Sequence, residues 1–219
     1  MQNNSEKNGP DNRHGVVNSG PVRILTIIGQ IEGHTQLPAD AKTTKYENLI
    51  PILADIQRDE SAKGLLFIVN TMGGDVEAGL ALAELIRGMD KPTVSLVLGG
   101  GHSIGVPLSV STDYSFIAKT ATMTVHPIRT TGLIINVPQT FRYYEKMQNR
   151  VEDFVCENSS ITHEQLSRLM NAKEEMADDI GTVLVGEQAV EAGIIDAVGG
   201  ISDALSKLTE LMGSRENSQ

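Results

Sequence analysis

The chain has 219 residues, a length that suits one domain with a sizeable hydrophobic core. Its formal net charge of −10 argues against binding to nucleic acid or to an anionic membrane surface. No apolar run reaches the roughly 18 residues that a membrane span needs, and Cys156, the one cysteine, excludes an internal disulfide and a thiolate metal site. We therefore predict no nucleic-acid partner and no membrane insertion.

The N-terminal part of the chain combines a polar segment with the first predicted elements. Residues 1–21 are rich in Asn, Ser, Gly and charge, and we expect them to be flexible. They lack the apolar core of a signal peptide, so we expect a cytoplasmic protein. A β-branched and Leu-rich run predicts a strand at 22–28, residues 29–44 predict a long loop, and helical spacing of apolar residues predicts a helix at 46–59.

Residues 64–110 alternate between strand-like and helix-like segments. The predicted elements are a strand at 64–69, a helix at 76–87, a strand at 93–98 and a helix at 103–110. This alternation predicts right-handed crossovers and a parallel sheet. Ligands of such sheets bind at the carboxyl ends of the strands, which is where the Gly73-Gly74 turn and Ser103 lie.

The C-terminal half predicts shorter elements and one long helix. In chain order these are strands at 114–118 and 123–125, an extended segment at 130–137, a helix at 139–157, a helix that begins at the Thr162 and Gln165 capping box, a loop at 176–182, a helix at 187–192, a strand at 194–198, a helix at 201–212 and a polar tail at 213–219. The long, charged helix lies outside the alternating core, so we expect it to serve subunit contacts.

One pentapeptide, Gly101-His-Ser-Ile-Gly105, matches the pattern G-x-S-x-G after a predicted strand. A serine at a tight strand-to-helix turn needs small neighbours, because larger side chains clash in the strained backbone. The helix that follows directs free N–H groups toward a reacting oxygen. The pattern makes Ser103 a candidate nucleophile, and an ordinary N-cap of a βα unit is the alternative.

Five histidines could supply the general base that a serine nucleophile needs. His14 lies in the polar segment and His34 in the long loop, and His163 sits beside a helix cap at the surface. We expect the ring of His102 to point away, because this residue precedes the serine on a turn. His126 directly follows a predicted strand and precedes a proline that restricts its backbone, so it is the preferred base.

Other kinds of site find less support in the sequence. The G-x-S-x-G pattern also permits an esterase or lipase, whose chain order of serine, acid and histidine could be met by Ser103 and His163 with Asp113 or Asp153. The spacings H-x-x-x-H and H-E-x-x-H, the P-loop and G-x-G-x-x-G are all absent from the sequence. We therefore predict no metal site and no cofactor.

Four segments together resemble the ClpP-like serine peptidases, over residues 22–212. Asn70-Thr-Met-Gly-Gly-Asp-Val-Glu-Ala-Gly79 resembles the Asn-Ser-Pro-Gly-Gly segment of that family. Gly101-His-Ser-Ile-Gly105 resembles its Ala-Ser-Met-Gly nucleophile turn, and Met123-Thr-Val-His-Pro127 resembles its Met-Ile-His-Gln-Pro base segment. Glu187-Gln-Ala-Val-Glu-Ala-Gly-Ile-Ile-Asp196 resembles its Glu-Ala-x-x-Tyr-Gly-Leu-Ile-Asp segment. The four occur in the family's order and at similar spacings.

This resemblance assigns roles to residues of the nucleophile and base segments. It implies that Ser103 is the nucleophile and His126 the general base. It further implies that the backbone N–H groups of Gly73 and Ile104 form the oxyanion hole. A Gly-Gly turn suits this role, because glycine lets the backbone approach a substrate closely.

The third member of the implied triad is an aspartate that lies shortly before the last of the four segments. Ungapped alignment with the family pattern puts Gly181 at that position. We take Asp179, two residues upstream, as the triad acid, with Asp178 in reserve. The alternative is that both are solvated loop acids, which would leave the imidazole tautomer less well held.

The resemblance also implies a fold and an assembly. The fold is α/β, the ClpP/crotonase-like superhelix of repeated β-β-α units, with a protruding handle of a strand and a long helix at residues 130–158. Subunits of the family form seven-membered rings that stack in pairs as a tetradecamer and enclose the sites, so we expect a homo-oligomer. Residues 1–21 and 29–44 differ from the family, which leaves an ATPase unfoldase partner open.

We therefore predict a serine-type endopeptidase that hydrolyses unfolded proteins or short peptides inside an oligomeric chamber. It would act without ATP or as the proteolytic subunit of an ATP-dependent protease. Within the family the chain is similar to a member associated with protein translocation, which implies a role in protein export and signal-peptide degradation. The alternatives are a catalytically weak or inactive ClpP-like assembly protein, the esterase, and an acyl-CoA enzyme of the crotonase type.

Overall fold

The computed structural model describes residues 16–173 and 180–217, which contain nine strands and seven helices. The strands are β1 (Val16–Ser19), β2 (Val22–Glu32), β3 (Thr43–Lys45), β4 (Gly64–Gly74), β5 (Thr93–Gly101), β6 (Tyr114–Ile117), β7 (Thr122–Val125), β8 (Thr182–Val185) and β9 (Ala197–Val198). The helices are α1 (Tyr46–Arg58), α2 (Val76–Arg87), α3 (Gly105–Val110), α4 (Val137–Glu157), α5 (His163–Met170), α6 (Glu187–Glu191) and α7 (Ile201–Glu216).

Five parallel strands form the centre of the sheet, in the order β2, β4, β5, β6 and β9. Their apolar runs are covered on both faces, and Leu65, Leu66 and Phe67 of β4 are fully buried. Continuous apolar strands of this kind are typical of parallel sheets that carry helices on both faces. The parallel sheet predicted from the strand–helix alternation is confirmed.

The strands that lead to the candidate site are longer than the sequence predicted. The register of β2 with β4 continues to Ile31 opposite Gly74, and that of β4 with β5 continues to Thr71 opposite Gly101. The predicted Gly73-Gly74 turn and the three glycines Gly99, Gly100 and Gly101 are therefore the last residues of neighbouring strands. Glycines carry no side chain, so no apolar pattern marked these strand ends in the sequence.

The first strand lies in the segment that was expected to be flexible. β1 pairs antiparallel with the start of β2, from Val16 opposite Leu25 to Ser19 opposite Val22. The turn between them contains Gly20, whose φ of 60° suits glycine. The hairpin was not predicted, because the segment that contains β1 is polar in composition. Residues 1–15 lie outside the described residues.

Strand β7, which directly precedes His126, pairs with β8 and with the end of β5. β7 pairs with β5 at Thr122 opposite Gly100, and it pairs antiparallel with β8 along its whole length. The sequence did not predict β8, because this short strand follows a charged segment and pairs with residues about 60 positions earlier in the chain. The ladder brings β7 to the carboxyl end of β5.

The helices form one main core and a smaller one on the opposite face of the sheet. Side chains alternate between the faces of a strand, so Leu65 and Phe67 join the main core and Leu66 joins the smaller one. Helix α7 covers the smaller core through Ala204 and Leu208, which are fully buried. None of the helices in the described part of the chain has both the length and the apolar character to cross a bilayer.

The predicted handle, residues 130–158, contains α4 as its long helix. Phe154 and Val155, near the end of α4, are buried in the main core, whereas Leu133 and Ile135 before its start are 91% and 92% exposed. Residues 126–136 form no strand, although a handle of strand and helix was expected. A strand needs a second strand beside it, and none of the ladders in the described part of the chain includes residues 126–136.

Candidate active site

Ser103 lies at the turn between β5 and α3, at the carboxyl end of the parallel sheet. Its φ is 57°, and it is the one non-glycine residue with positive φ in the described part of the chain. Its backbone N–H donates to the carbonyl oxygen of Thr124 at 2.9 Å. A strained serine between a strand and a helix is the geometry of a nucleophile turn.

The two glycines of the pentapeptide are explained by close packing. A Cβ atom at Gly105 would lie 2.6 Å from Cγ2 of Thr71. One at Gly101 would lie 3.2 Å from Oγ of Ser109 and 3.3 Å from Cγ1 of Val97. The turn therefore has no room for a larger residue at Gly105 and only a tight fit for one at Gly101.

The backbone N–H groups of Gly73 and Ile104 were predicted to form an oxyanion hole. In this structure the two groups differ in whether they already donate a hydrogen bond. Gly73 lies beside the serine, because a Cβ atom there would be 2.7 Å from Cβ and 3.3 Å from Oγ of Ser103. The N–H of Gly73 donates to Oγ1 of Thr71 at 3.0 Å, and that hydroxyl donates to the carbonyl of Gly29 at 2.6 Å. The N–H of Ile104 makes no hydrogen bond to a described residue.

His126 follows β7 and lines the same cavity as Ser103. Its Nδ1 lies 2.7 Å from the carbonyl oxygen of Pro127. A carbonyl oxygen only accepts hydrogen bonds, so Nδ1 carries a proton in this contact, and in the neutral form of such a ring the lone pair is on Nε2. No hydrogen bond joins the ring to Oγ of Ser103 in the described structure, and such bonds are often long before substrate binds.

The triad acid cannot be placed from the described residues. Asp178 and Asp179 lie outside them, and within 16–173 and 180–217 no carboxylate is hydrogen-bonded to His126. Gly181, where ungapped alignment put the acid, packs directly on the histidine: a Cβ atom there would lie 2.8 Å from Cβ of His126.

The cavity that contains Ser103 and His126 has a volume of about 170 Å³. Its other lining residues are mainly apolar, among them Val106, Val125, Ile128, Val151, Val155, Leu166 and Met170. An apolar cavity next to a nucleophile can accept an apolar side chain of a peptide.

The residues of the esterase alternative do not meet at Ser103. Nε2 of His163 lies 3.6 Å from Asp153, and both side chains are 59% exposed at the surface. Asp113 accepts a hydrogen bond from the backbone N–H of Thr93, at the opposite end of β5. Neither acid lines the cavity that contains the serine.

His102 makes a side-chain contact that the sequence did not predict. Its Nδ1 lies 2.8 Å from Oγ1 of Thr124, and the ring is half-buried near His126. Burial, followed by the nearby His126, holds the pKa of His102 below its ordinary value. Sequence reasoning missed the pair of His102 and Thr124, because a contact across 22 positions depends on strand register.

His34 and His14 were the other candidate bases, and the sequence predicted no metal site. The ring of His34 meets the ring of Tyr46 edge-on with centroids 5.8 Å apart, and His14 lies outside the described residues. Among the residues that the structure describes, no group of three or more His, Cys, Asp or Glu side chains is placed to hold a metal ion.

Comparison with known proteins gives a family match and several relatives. Residues 20–202 match the family model described as Clp protease. The chain is 58% identical over 191 residues to the translocation-enhancing protein TepA of Halalkalibacterium halodurans. The aligned region covers 87% of this chain and 75% of TepA.

More distant relatives include proteolytic subunits of ATP-dependent Clp proteases. The subunit of Streptococcus uberis is 24% identical over 186 residues, which cover 80% of this chain and 84% of the relative. Subunit 1 of Protochlamydia amoebophila is 25% identical over 145 residues, which cover 65% of this chain and 68% of the relative. The resemblance to ClpP-like peptidases, and within them to TepA, is confirmed.

Proposed function

Because the chain belongs to the Clp protease family, we propose that it is a serine-type endopeptidase that hydrolyses unfolded proteins or short peptides. The observation that carries this proposal is the strained turn at Ser103, with Gly73 packed against the serine and His126 lining the same cavity. An acyl-transfer site needs these three parts: a nucleophile, a base and close backbone donors.

In the proposed mechanism, Oγ of Ser103 attacks the carbonyl carbon of the scissile peptide bond while Nε2 of His126 takes its proton. The N–H of Ile104 donates a hydrogen bond to the resulting oxyanion. The N–H of Gly73 donates a second one after it gives up its hydrogen bond to the hydroxyl of Thr71. His126 then gives its proton to the leaving amine. A water molecule, deprotonated by His126, hydrolyses the acyl-enzyme and releases the serine.

Two groups would hold the proton of His126 on Nδ1. The carbonyl of Pro127 accepts it at 2.7 Å and thereby selects the tautomer that catalysis requires. A neutral carbonyl stabilises the imidazolium less than a carboxylate does, because it carries no negative charge. We assign the stabilisation of the imidazolium by a carboxylate to Asp179, with Asp178 in reserve.

The proposed enzyme works as a homo-oligomer, in seven-membered rings that stack as a tetradecamer and enclose the sites. The exposed apolar residues Leu133 and Ile135 support this assembly, since they contribute nothing to the core of the single chain. The name of TepA refers to translocation, and on that basis we place the activity near protein export, with signal peptides among the substrates. We propose a cytoplasmic location, and action either without ATP or as the proteolytic subunit of an ATP-dependent protease.

A second function, a catalytically weak or inactive assembly protein, is favoured by one observation. Within the described residues, no hydrogen bond joins the ring of His126 to Oγ of Ser103. Such a protein would keep the rings and lose turnover.

The test is covalent labelling of the purified, assembled protein with a fluorophosphonate probe, and the adduct is mapped by mass spectrometry. The peptidase proposal expects one label per chain on Ser103, lost in Ser103→Ala and in His126→Ala. His163→Ala is the matched control, because it removes a surface imidazole that does not line the cavity. A folded oligomer without label would support the assembly protein instead.

A further inference from the structure

Three hydrogen bonds of His102 and Thr124 connect the separate parts of the candidate active site. The backbone N–H of His102 donates to the carbonyl of Thr71 on β4 at 3.1 Å, and its Nδ1 lies 2.8 Å from Oγ1 of Thr124 on β7. The carbonyl of Thr124 accepts the N–H of Ser103 at 2.9 Å. One pair of residues thus contacts the strand of Gly73, the nucleophile turn and the strand of the base.

The imidazole of His102 occupies the space beside Gly100 of β5 that a side chain at residue 100 would fill. A Cβ atom at Gly100 would lie 2.5 Å from Nε2 and 2.7 Å from Cδ2 of this ring. Gly100 is also the residue at which β5 pairs with Thr122 of β7. The ring therefore fills the angle between β5 and β7, and the absence of a side chain at Gly100 allows it to do so.

The charge state of this ring fits a place beside a catalytic base. Burial and the nearby His126 lower the pKa of His102, which favours its neutral form. A neutral neighbour adds no repulsion when His126 takes the proton of the serine, whereas a second cation would oppose that step.

We propose that His102 is a positioning residue, which fixes Ser103 relative to His126 through its hydrogen bond to Thr124. This inference rests on the proposed peptidase function. His102 is joined to Ser103 by a peptide bond, and Thr124 precedes His126 by two residues on the same chain segment. The side-chain hydrogen bond thus links nucleophile and base over a short path, and a misplacement of 1 Å between such groups costs about 10²-fold in rate.

The experiment measures kcat and KM for peptide hydrolysis, and the rate of fluorophosphonate labelling, in the full assembled protein. His102→Ala and Thr124→Val each remove the hydrogen bond, and we expect each to lower kcat and the labelling rate about 10- to 100-fold with KM nearly unchanged. The double variant should be no slower than the slower single one, because both changes remove the same contact.

Conservative variants separate positioning from general stability. His102→Asn keeps a polar atom where Nδ1 lies and Thr124→Ser keeps the hydroxyl, so we expect both to restore rates to within about threefold of the wild type. Thr122→Val is the matched control, because Thr122 lies on the same strand and its hydroxyl has no hydrogen bond in the described structure.

Each outcome is decisive. Wild-type rates in folded His102→Ala and Thr124→Val, additive losses in the double variant, or equal losses in the conservative variants would overturn the positioning role alone. A wild-type protein that is not labelled at Ser103 would overturn the peptidase function and the positioning role together. The two failures are therefore distinguishable.

Discussion

Gly181 packs so closely against His126 that a Cβ atom at residue 181 would lie 2.8 Å from Cβ of the histidine and 2.5 Å from the carbonyl oxygen of Val125. The N–H of Gly181 donates to the carbonyl of Ala172 at 2.9 Å, which fixes the glycine in this position. A carboxylate that reaches the imidazole therefore does not come from residue 181 in this backbone conformation.

Replacement of this glycine by the family's acid should fail to build a triad. Gly181 has a φ of 137°, a conformation that residues with a side chain rarely adopt, and its site has no space. We expect Gly181→Asp to lower the free energy of unfolding by more than about 2 kcal/mol and to raise no activity. Urea unfolding and labelling at Ser103 measure the two effects.

Gly20→Asp is the matched control, since Gly20 also has positive φ, at 60°, but has no neighbour within 4 Å of an added Cβ. We expect a much smaller loss of stability there, because aspartate tolerates this backbone region better than other residues. Equal losses at the two positions would contradict the packing argument.

The sequence predicted the parts of the fold that depend on local pattern. The apolar run of β4 and the alternation around it gave the parallel sheet, and Thr162 with Gln165 gave the capping box that begins α5. β8 and the contact between His102 and Thr124 could not be predicted, because both depend on which distant strands pair and in what register. The family resemblance predicted Ser103 and His126, which line one cavity in the structure, but it gave no information about the ring of His102.

Two neighbouring aspartates allow a test of the proposed triad acid. We expect Asp179→Asn to lower kcat by about 10- to 100-fold, less than the roughly 10⁴-fold typical of triad acids, because the carbonyl of Pro127 still holds the tautomer. Asp178→Asn is the matched control and should leave kcat unchanged. A loss in Asp178→Asn alone would move the role to that residue. Full activity in both variants would leave the Pro127 carbonyl as the sole group that orients the ring.

The space next to Ser103 should be sensitive to a single methyl group. Gly73→Ala would bring Cβ to 2.7 Å from Cβ of Ser103 and would displace the N–H that we assign to the oxyanion hole. Removal of one such donor costs about 10²- to 10³-fold in kcat, and we expect at least that loss. Gly20→Ala provides the comparison for a glycine with positive φ in open space. Labelled Ser103 with unchanged kcat in Gly73→Ala would remove Gly73 from the proposed oxyanion hole.

The apolar start of the handle should control assembly and not folding. Leu133 and Ile135 are 91% and 92% exposed, so the double change to serine should leave the thermal midpoint of a subunit within a few degrees. We expect it to shift sedimentation from stacked to smaller species, since the apolar contact that we propose between handles would be lost. Val185→Ser, at a 43% exposed position of β8, is the control. Unchanged sedimentation of the double variant would exclude these residues from the interface.

The depressed pKa of His102 predicts how stability depends on pH. The unfolded state binds a proton near the ordinary histidine pKa of about 6.5, whereas burial and His126 keep the folded state neutral to lower pH. The unfolded state therefore binds more protons as the pH falls through 6.5, and the free energy of unfolding decreases until the pH reaches the folded pKa. His102→Asn removes this contribution, so its thermal midpoint should rise relative to the wild type between pH 7.5 and 5.5. Thr122→Val has no titrating group, and its difference from the wild type should stay constant. A constant difference for His102→Asn would mean that this ring is as easily protonated in the folded protein as in the unfolded chain.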